Sequence, residues 1–488
     1  MLKKVYQKYK QMPVVAKAAI WFVLCTVLQK CIAFITVPIF TRIMPAEEYG
    51  MYSTYLSWYS ILTIVCTLNM HSCIYSNSLA KSKEERKSDE DAVSMLSLSW
   101  TLTFVLFIIY IVFHDFFNKI IGLPTALVSL IFAQILFEPP VSFWSMKQRF
   151  NYKYIKMVIR TIAMVICNTV LGIVFVILSK NNQAIARAFS VVIVQIVFGG
   201  ALYIYYFKRS KKVFLIKDWK HYLDVQLPLL PHSLSLTILT SSDRIMISSM
   251  IGKMETAIYS VAYSAGYVVN VIKNSIIDAI KPWIYQKIKQ KDFVSIRKNV
   301  NAVMVLITLI TIVFTAFAPE LIRIMAPDEY YSAIYVVPPV AASSFFTFLY
   351  NIFSVVGFYY EKTKRIMIAS ISGAVLNLIL NFIFIPIFGF IAAAYATLIC
   401  YIFFAFAHYF IMKSICKKNM NNAQIYDMKF ISLMAVLVLI ISIVFSLTYS
   451  NIYIRYGIII IVMIITIVKR NMFISVLKEM KKKKEPTE

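Results

Sequence analysis

Apolar residues run along this chain in long blocks that are separated by short polar segments. A helix needs about 20 mostly apolar residues to cross a bilayer. The pattern therefore predicts an all-α polytopic membrane protein with about fourteen spans. Their approximate limits are 14–41, 50–77, 93–113, 123–144, 155–179, 184–206, 222–250, 255–280, 299–319, 332–357, 366–387, 389–412, 430–449 and 452–468.

Lysine and arginine lie mainly on one side of these predicted spans. Of the 50 basic residues, 38 fall in alternate connections and the two ends of the chain: 1–13, 78–92, 145–156, 207–221, 281–298, 358–365, 413–429 and 469–488. Basic residues concentrate in cytoplasmic connections. We therefore expect a multi-pass protein of the cytoplasmic membrane with both termini inside. The basic tail, "KEMKKKKEPTE", is expected to lie against anionic lipid headgroups.

Composition and short motifs exclude several classes of function. The chain is 60% hydrophobic and 15% charged, and the charges behind its net +27 flank apolar runs, so we expect no nucleic-acid partner. The seven cysteines form no C-x-x-C pair, which argues against zinc or a disulfide framework. No glycine-rich nucleotide fingerprint is present, so no cofactor is expected. The connections are short, which argues against an enzyme with a large domain outside the membrane.

Two short matches six spans apart indicate an internal repeat. "RIMPAEEYGMYS" joins spans one and two, "SMIGKMETAIYS" joins spans seven and eight, and their alignment pairs Glu48 with Glu255. A second match is "PPV", which occurs in span four and again in span ten. Six is an even number, so the two halves would enter the membrane with the same orientation, as in many transporters.

The repeat divides the chain into three predicted parts. Residues 1–221 would form an N-terminal six-helix lobe and residues 222–425 a C-terminal six-helix lobe that is pseudo-symmetric with it. Residues 426–488 would add two transmembrane helices and the basic tail. Repeat-built transporters tend to bind substrate at the repeat interface.

Ionisable residues inside the apolar blocks are the candidate binding residues. Such a group costs at least about 2.5–3.5 kcal/mol at mid-bilayer, so it normally faces a partner or a wet cavity. The cavity candidates are Lys30, Arg42 (at the outer end of span one), His71, Asp243, Arg244, Lys273 and Asp278. Basic groups outnumber acidic ones, which favours an anion such as a phosphate group.

Each of these residues also has a purely structural interpretation. Lys30 and Lys273 could extend to lipid headgroups instead of a cavity. Adjacent residues of a helix point in different directions, so Asp243 and Arg244 each need a separate partner. Asp243 is predicted to pair with Arg42 as a brace between helices.

Five segments carry a family resemblance: "VPIFTRIMPAEEYGMYS", "LPLLPHSLS", "SSDRIMISSMIG", "AIYSVAYS" and "GFIAAAYATLI". In these segments the sequence resembles the Wzx-type flippases of lipid-linked oligosaccharides, which are related to MurJ-type lipid II flippases and MATE exporters in the MOP superfamily. The resemblance implies two six-helix lobes around a cationic central cavity, two extra helices and alternating access. MurJ-type relatives line their cavity with basic residues of helices one, two and eight. Lys30 and Lys273 match such positions in helices one and eight, whereas helix two offers His71 in place of arginine.

The expected function is that of a flippase that carries polyprenyl-diphosphate-linked oligosaccharide repeat units across the cytoplasmic membrane for capsule, O-antigen or exopolysaccharide assembly. Its expected partners are an undecaprenyl-diphosphate-type lipid-linked oligosaccharide, membrane lipids and other polysaccharide assembly proteins. Two alternatives stay open. One is a MATE-like exporter of small amphipathic molecules, and the other is a membrane-embedded glycan polymerase or ligase.

Overall fold

The computed structural model describes residues 12–81, 85–210 and 216–468. Helices and short connections make up these ranges, which contain no strand. The prediction of an all-α chain is therefore confirmed for this part of the sequence. The basic tail at 469–488 lies outside the described residues.

Contacts divide the chain into two compact units. The first unit comprises the residues up to Ser260 together with Asn381–Phe390, and the second comprises Val261–Leu380 and the residues from Ile391 onward. The predicted lobe boundaries at 221 and 425 follow the sequence repeat rather than these contacts, and they stay a prediction.

Within the described ranges, the first unit contains eleven helices, the start of a twelfth, and the end of a later helix that lies in Asn381–Phe390. The eleven helices are α1 (Val14–Ile43), α2 (Ala46–Thr67), α3 (Ile74–Lys81), α4 (Glu85–Val112), α5 (His114–Ile121), α6 (Thr125–Phe137), α7 (Pro139–Phe150), α8 (Tyr154–Leu178), α9 (Gln183–Arg209), α10 (Ile216–Gln226) and α11 (Leu230–Met250). Helix α2 packs on α11, and α8 packs on both α1 and α9. Two apolar clusters form the core, one around Tyr75, Met95 and Tyr206 and one around Tyr55 and Leu127.

Apart from the part of one helix that lies in Asn381–Phe390, the second unit contains most of α12 (Lys253–Lys289) and the helices that follow it. These are α13 (Phe293–Ala316), α14 (Ala318–Met325), a 3-10 helix (Asp328–Tyr335), α15 (Val337–Tyr359), α16 (Thr363–Phe388), α17 (Ile391–Asn419), α18 (Met428–Thr448) and α19 (Ile452–Val468). Helix α15 packs on α17, α13 and α18. Its buried face, with Phe345 and Ile352, forms the centre of the core.

Ten helices in the described residues are long and apolar enough to cross a membrane. They are Ile20–Ile43, Arg86–Val112, Thr125–Phe150, Tyr154–Leu178, Gln183–Arg209, Phe293–Ala316, Val337–Tyr359, Thr363–Phe388, Ile391–Asn419 and Met428–Thr448. The four remaining predicted spans correspond to α2, α11, α12 and α19. Polar residues interrupt the first three and α19 is short, so the count of fourteen stays a prediction.

Two short helices, α5 and α14, supply an independent sign of the repeat. Each has eight residues, and each follows directly on a long apolar helix, α4 or α13. These long helices correspond to predicted spans three and nine, which are six spans apart like the sequence matches. Both short helices carry charged residues beside apolar ones. This recurrence supports a duplicated six-helix pattern.

Candidate functional site

A cavity of about 420 Å³ lies inside the first unit. Its walls come from α1, from the turn between α2 and α3, and from α7 and α8. Among the lining residues, Gln29, His71, Arg149, Arg160 and Asn168 carry the ionisable or amide side chains. The break between α7 and α8, at residues 151–153, brings the two arginines to the same end of their helices.

Arg160 is the best-anchored cation of this cavity. Its Nη2 donates a hydrogen bond of 2.6 Å to Ser145 Oγ, and its Nη1 donates one of 3.4 Å to the Val141 carbonyl oxygen. The guanidinium carbon lies 4.3 Å from the ring centroid of Trp144. Arg160 belongs to α8 and all of these partners belong to α7, so the contacts hold the guanidinium between the two helices. A guanidinium held in this way is suited to binding phosphate oxygens in pairs.

Arg149 and His71 complete the polar lining at the end of α7. Arg149 is exposed, and its guanidinium carbon lies 5.9 Å from the ring centroid of Phe22 on α1. The His71 ring is half-buried and meets Phe143 edge-on, with 6.4 Å between the ring centroids. The two side chains extend the cationic and hydrogen-bonding surface beyond Arg160.

The described residues that line this cavity include no aspartate or glutamate. Glu138, directly before α7, accepts a hydrogen bond from the cavity residue Ser142. Two arginines without a carboxylate in the lining give the cavity a positive field, and such a field attracts anions and repels cations.

Asp243, which lies inside an apolar helix next to Arg244, has a clear set of partners. Its side chain is 1% exposed. It accepts a hydrogen bond of 2.5 Å from the Tyr259 hydroxyl and one of 2.7 Å from Asn381 Nδ2. Arg244 donates a hydrogen bond to the Thr240 carbonyl oxygen at 3.2 Å. Asp243 thus connects α11 with α12 and α16.

The other predicted site residues lie in varied surroundings. Lys30 and Arg42 are exposed on α1, and Arg42 Nη1 donates to the Pro38 carbonyl oxygen at 2.9 Å. Lys273 is 3% exposed and donates to Asn270 Oδ1 at 2.8 Å. Asp278 is exposed.

Of the seven predicted residues, His71 alone lines the 420 Å³ cavity. Lys30 follows directly on the lining residue Gln29. A shared site for the seven, and the Asp243–Arg42 brace, stay predictions.

Sequence reasoning missed the two arginines of the cavity. Arg149 falls in a predicted cytoplasmic connection and Arg160 near the end of a predicted span, where both are ordinary interface residues. The sequence feature that could have identified them is that Arg149 and Arg160 flank the same short connection between two helices. That signal is weak, because most basic residues of this chain also flank breaks.

Comparison with known families places the chain in a defined class. The model of the polysaccharide biosynthesis protein family matches residues 15–288, more than half of the chain. The MatE family model matches residues 228–383. The chain belongs to the polysaccharide biosynthesis protein family. No curated protein matches its sequence.

Solved structures share the fold at low sequence identity. The inward closed conformation of the lipid II flippase MurJ superposes with a TM-score of 0.65 at 17% identity, over 93% of this chain and 99% of that one. An inward-facing multidrug resistance MATE family transporter of the MOP superfamily gives 0.59 at 14% identity, over 80% and 96%. Its outward-facing counterpart gives 0.55 at 12% identity, over 83% and 96%. The fold is that of multi-pass membrane transporters.

Proposed function

We propose that this protein flips polyprenyl-diphosphate-linked oligosaccharide repeat units from the inner to the outer leaflet of the cytoplasmic membrane, by alternating access. The observation that carries the proposal is the basic cavity of Arg149, Arg160 and His71 in a chain of the polysaccharide biosynthesis family. The diphosphate is the charged part of such a substrate, and arginines are well suited to bind it. The protein acts as a transporter and not as an enzyme.

The position of this cavity supports loading from the cytoplasm. Its lining residues Ser145, Met146 and Arg149 belong to the predicted cytoplasmic segment 145–156. Substrate assembled inside the cell would therefore meet Arg149 first. The predicted residues Lys30, Arg42, His71, Asp243, Arg244, Lys273 and Asp278 remain in the proposal as further substrate contacts or as braces for them.

A MATE-like exporter of small amphipathic molecules is the second candidate, because the MatE model matches residues 228–383. The two candidate functions require electrostatic fields of opposite sign in the binding site. A cation exporter would need carboxylates near its substrate, whereas the cavity lining in the first unit is basic. A membrane-embedded polymerase or ligase is the third candidate, and no observation on the described residues favours it.

The location of the lipid-linked repeat unit tests the proposal. Deleting the gene should leave synthesis of that unit intact and trap it in the inner leaflet. Spheroplasts of the deletion strain would be treated with an impermeant glycosidase, and the lipid-linked glycan would then be extracted and analysed by mass. We expect the glycan to be protected in the deletion strain and cleaved after complementation. External cleavage in the deletion strain, with no other flippase present, would refute the proposal.

The predicted orientation has its own test. Reporter fusions after Arg209 and after Lys484 should be active only in the cytoplasm, and a fusion after Ala326 only outside. An extracellular C-terminus would change the number of spans by one.

A further inference from the structure

The second unit contains a separate cavity of about 620 Å³, built by the ends of three helices. The last turns of α17, the first turn of α13 and the first turn of α18 surround it, together with the loop between α17 and α18. Arg297, Lys413 and Lys429 lie in its lining. Asp427 is the acidic residue among the described lining residues.

These three cations lie where their helices leave the apolar zone. The predicted spans begin at residue 299, end at residue 412 and begin again at residue 430. Arg297, Lys413 and Lys429 are therefore within about one helical turn of a span end, which is the depth of lipid headgroups. All three belong to connections that are predicted to be cytoplasmic.

The loop that closes the cavity is firmly held. Arg297 Nη1 donates a hydrogen bond of 2.7 Å to the Gln424 carbonyl oxygen. Asp427 Oδ1 accepts one of 3.1 Å from the Phe430 N–H and so caps α18. The Tyr426 hydroxyl donates one of 2.8 Å to the Ile352 carbonyl oxygen, which anchors the loop in the core. The Asp427 carboxylate therefore bonds to the first turn of α18. The three basic residues of the lining outnumber this single acidic residue, so the cavity carries a net positive charge.

Apolar side chains continue outward from both lysines along their helices. Phe410 lies three residues before Lys413, and Leu433 lies four residues after Lys429, so each pair shares a helix face. Phe410 and Leu433 are each 61% exposed. A ligand with a phosphate at the lysines and apolar tails along Phe410 and Leu433 would match both parts of this surface. A soluble anion would match only the first part.

We infer that this cavity binds the headgroup of an anionic phospholipid of the inner leaflet, such as phosphatidylglycerol, with its phosphate between Lys413 and Lys429. Its size is typical of a small-molecule site. The site is distinct from the cavity of Arg149 and Arg160, and the inference does not depend on the transported substrate.

The test measures stabilisation of the purified full-length protein by defined lipids. Thermal unfolding would be followed in mixed micelles with increasing phosphatidylglycerol, with phosphatidylethanolamine as the zwitterionic lipid and glycerol phosphate as the soluble anion. Phosphatidylglycerol should stabilise the wild type most. A K413Q/K429Q double variant should need about fivefold more phosphatidylglycerol, or more, for half-maximal stabilisation. A K413R/K429R variant should behave like the wild type.

A K417Q/K418Q double variant is the matched control, because it removes the same charge from exposed positions of α17 outside the cavity lining. It should respond to phosphatidylglycerol like the wild type. An equal response in K413Q/K429Q and the wild type would overturn the inference, as would an equal loss in the control variant. Stabilisation by glycerol phosphate as strong as that by the lipid would assign the cavity to a soluble anion instead.

Discussion

Asn381 donates a 2.7 Å hydrogen bond to Asp243 across 138 residues of sequence, and both side chains are buried. Tyr259 donates to the second carboxylate oxygen at 2.5 Å. Two donors on one buried carboxylate explain why an apolar helix retains an acidic residue, since they replace the water that it loses.

The first prediction concerns this carboxylate. Asp243→Ala should destabilise the purified protein by about 2–5 kcal/mol, because it leaves two buried donors without an acceptor. Tyr259→Phe removes one donor to a charged group and should cost about 1.5–3 kcal/mol. A double-mutant cycle between Asp243→Ala and Asn381→Ala should show a coupling energy of at least about 0.5 kcal/mol.

The brace predicted from sequence needs a different experiment. If Asp243 also pairs with Arg42, exchanging the two charges should restore function that each single change removes. Loss of function in both single variants with no recovery in the double swap would leave Tyr259 and Asn381 as the partners that matter.

The second prediction concerns the arginines of the first cavity. Arg160→Ala should reduce flipping by about tenfold or more at equal membrane levels, since hydrogen bonds to charged groups contribute about 1.5–3 kcal/mol. Arg160→Lys should retain part of the activity, because lysine keeps the charge but loses the paired donors. The leaflet assay with the impermeant glycosidase provides the measurement.

Arg149→Ala separates binding from folding, because Arg149 is exposed. It should lower flipping without lowering thermal stability. Lys156→Gln, also exposed and on α8, removes one charge outside the cavity and serves as the control. Normal flipping in an Arg149→Ala/Arg160→Ala double variant would exclude this cavity from the transport path.

The third prediction concerns the two lysines inside predicted spans. Lys30→Ala and Lys273→Ala should each abolish most transport, and the arginine variants should keep much of it, because a positive charge would be retained. Membrane levels measured by immunoblot control for folding. This control matters most for Lys273, which is buried against Asn270. Unchanged transport in both alanine variants would remove these lysines from the binding site.

The fourth prediction concerns the close approach of α2 and α12. A Cβ atom on Gly50 would lie 1.8 Å from the Lys253 carbonyl oxygen. Glycine to alanine inside a helix normally stabilises by about 0.5–1 kcal/mol. Gly50→Ala should instead destabilise by about 1–3 kcal/mol or more, through overpacking. Gly200→Ala on α9 is the control, because its new Cβ would come no closer than 3.9 Å to the nearest atom. Equal melting temperatures for both variants would contradict this contact.

The fifth prediction concerns pH and the connection between α12 and α13. A hydrogen bond from Lys287, assisted by Ser295, holds the pKa of the Asp292 carboxyl well below its usual range. An unfolded aspartate has a pKa of about 3.9, so this stabilisation is fully present above about pH 4 and is lost as the pH falls through the folded value. Asp292→Asn should flatten the acid limb of the stability curve, whereas Asp224→Asn, at an exposed position, should not. Identical acid limbs in the wild type and Asp292→Asn would show that Asp292 does not contribute.

Hydrophobic patterning predicted the helical class, because a block of apolar residues in a membrane has few other ways to pair its backbone. It did not predict the break at Glu138 inside the span 123–144, where Pro139 and Pro140 follow. The short helices α5 and α14 were not predicted, since eight residues are too few for a periodic signal.

The sites were harder to predict than the helices. The position of a residue within a predicted span can be estimated from sequence. That position identified Asp243 as a charged residue that needs partners. The identity of those partners could not be read, because Asn381 is an amide among apolar residues far along the chain. Arg149 and Arg160 were missed for a related reason. A basic residue near a span end has the same sequence signature whether it contacts lipid headgroups or lines a cavity.

The Gly50 contact has a consequence for the history of the chain. The alignment that pairs Glu48 with Glu255 also pairs Gly50 with Ala257, and a Cβ on Gly50 would lie 3.2 Å from the Ala257 nitrogen. If the two halves arose by gene duplication, this position once faced its own copy in a dimer of identical chains. In such a dimer, a mutation at this position would have changed both sides of the contact. A larger side chain would therefore have added a steric clash from each chain. After fusion the two copies could diverge, and the two positions now hold glycine and alanine.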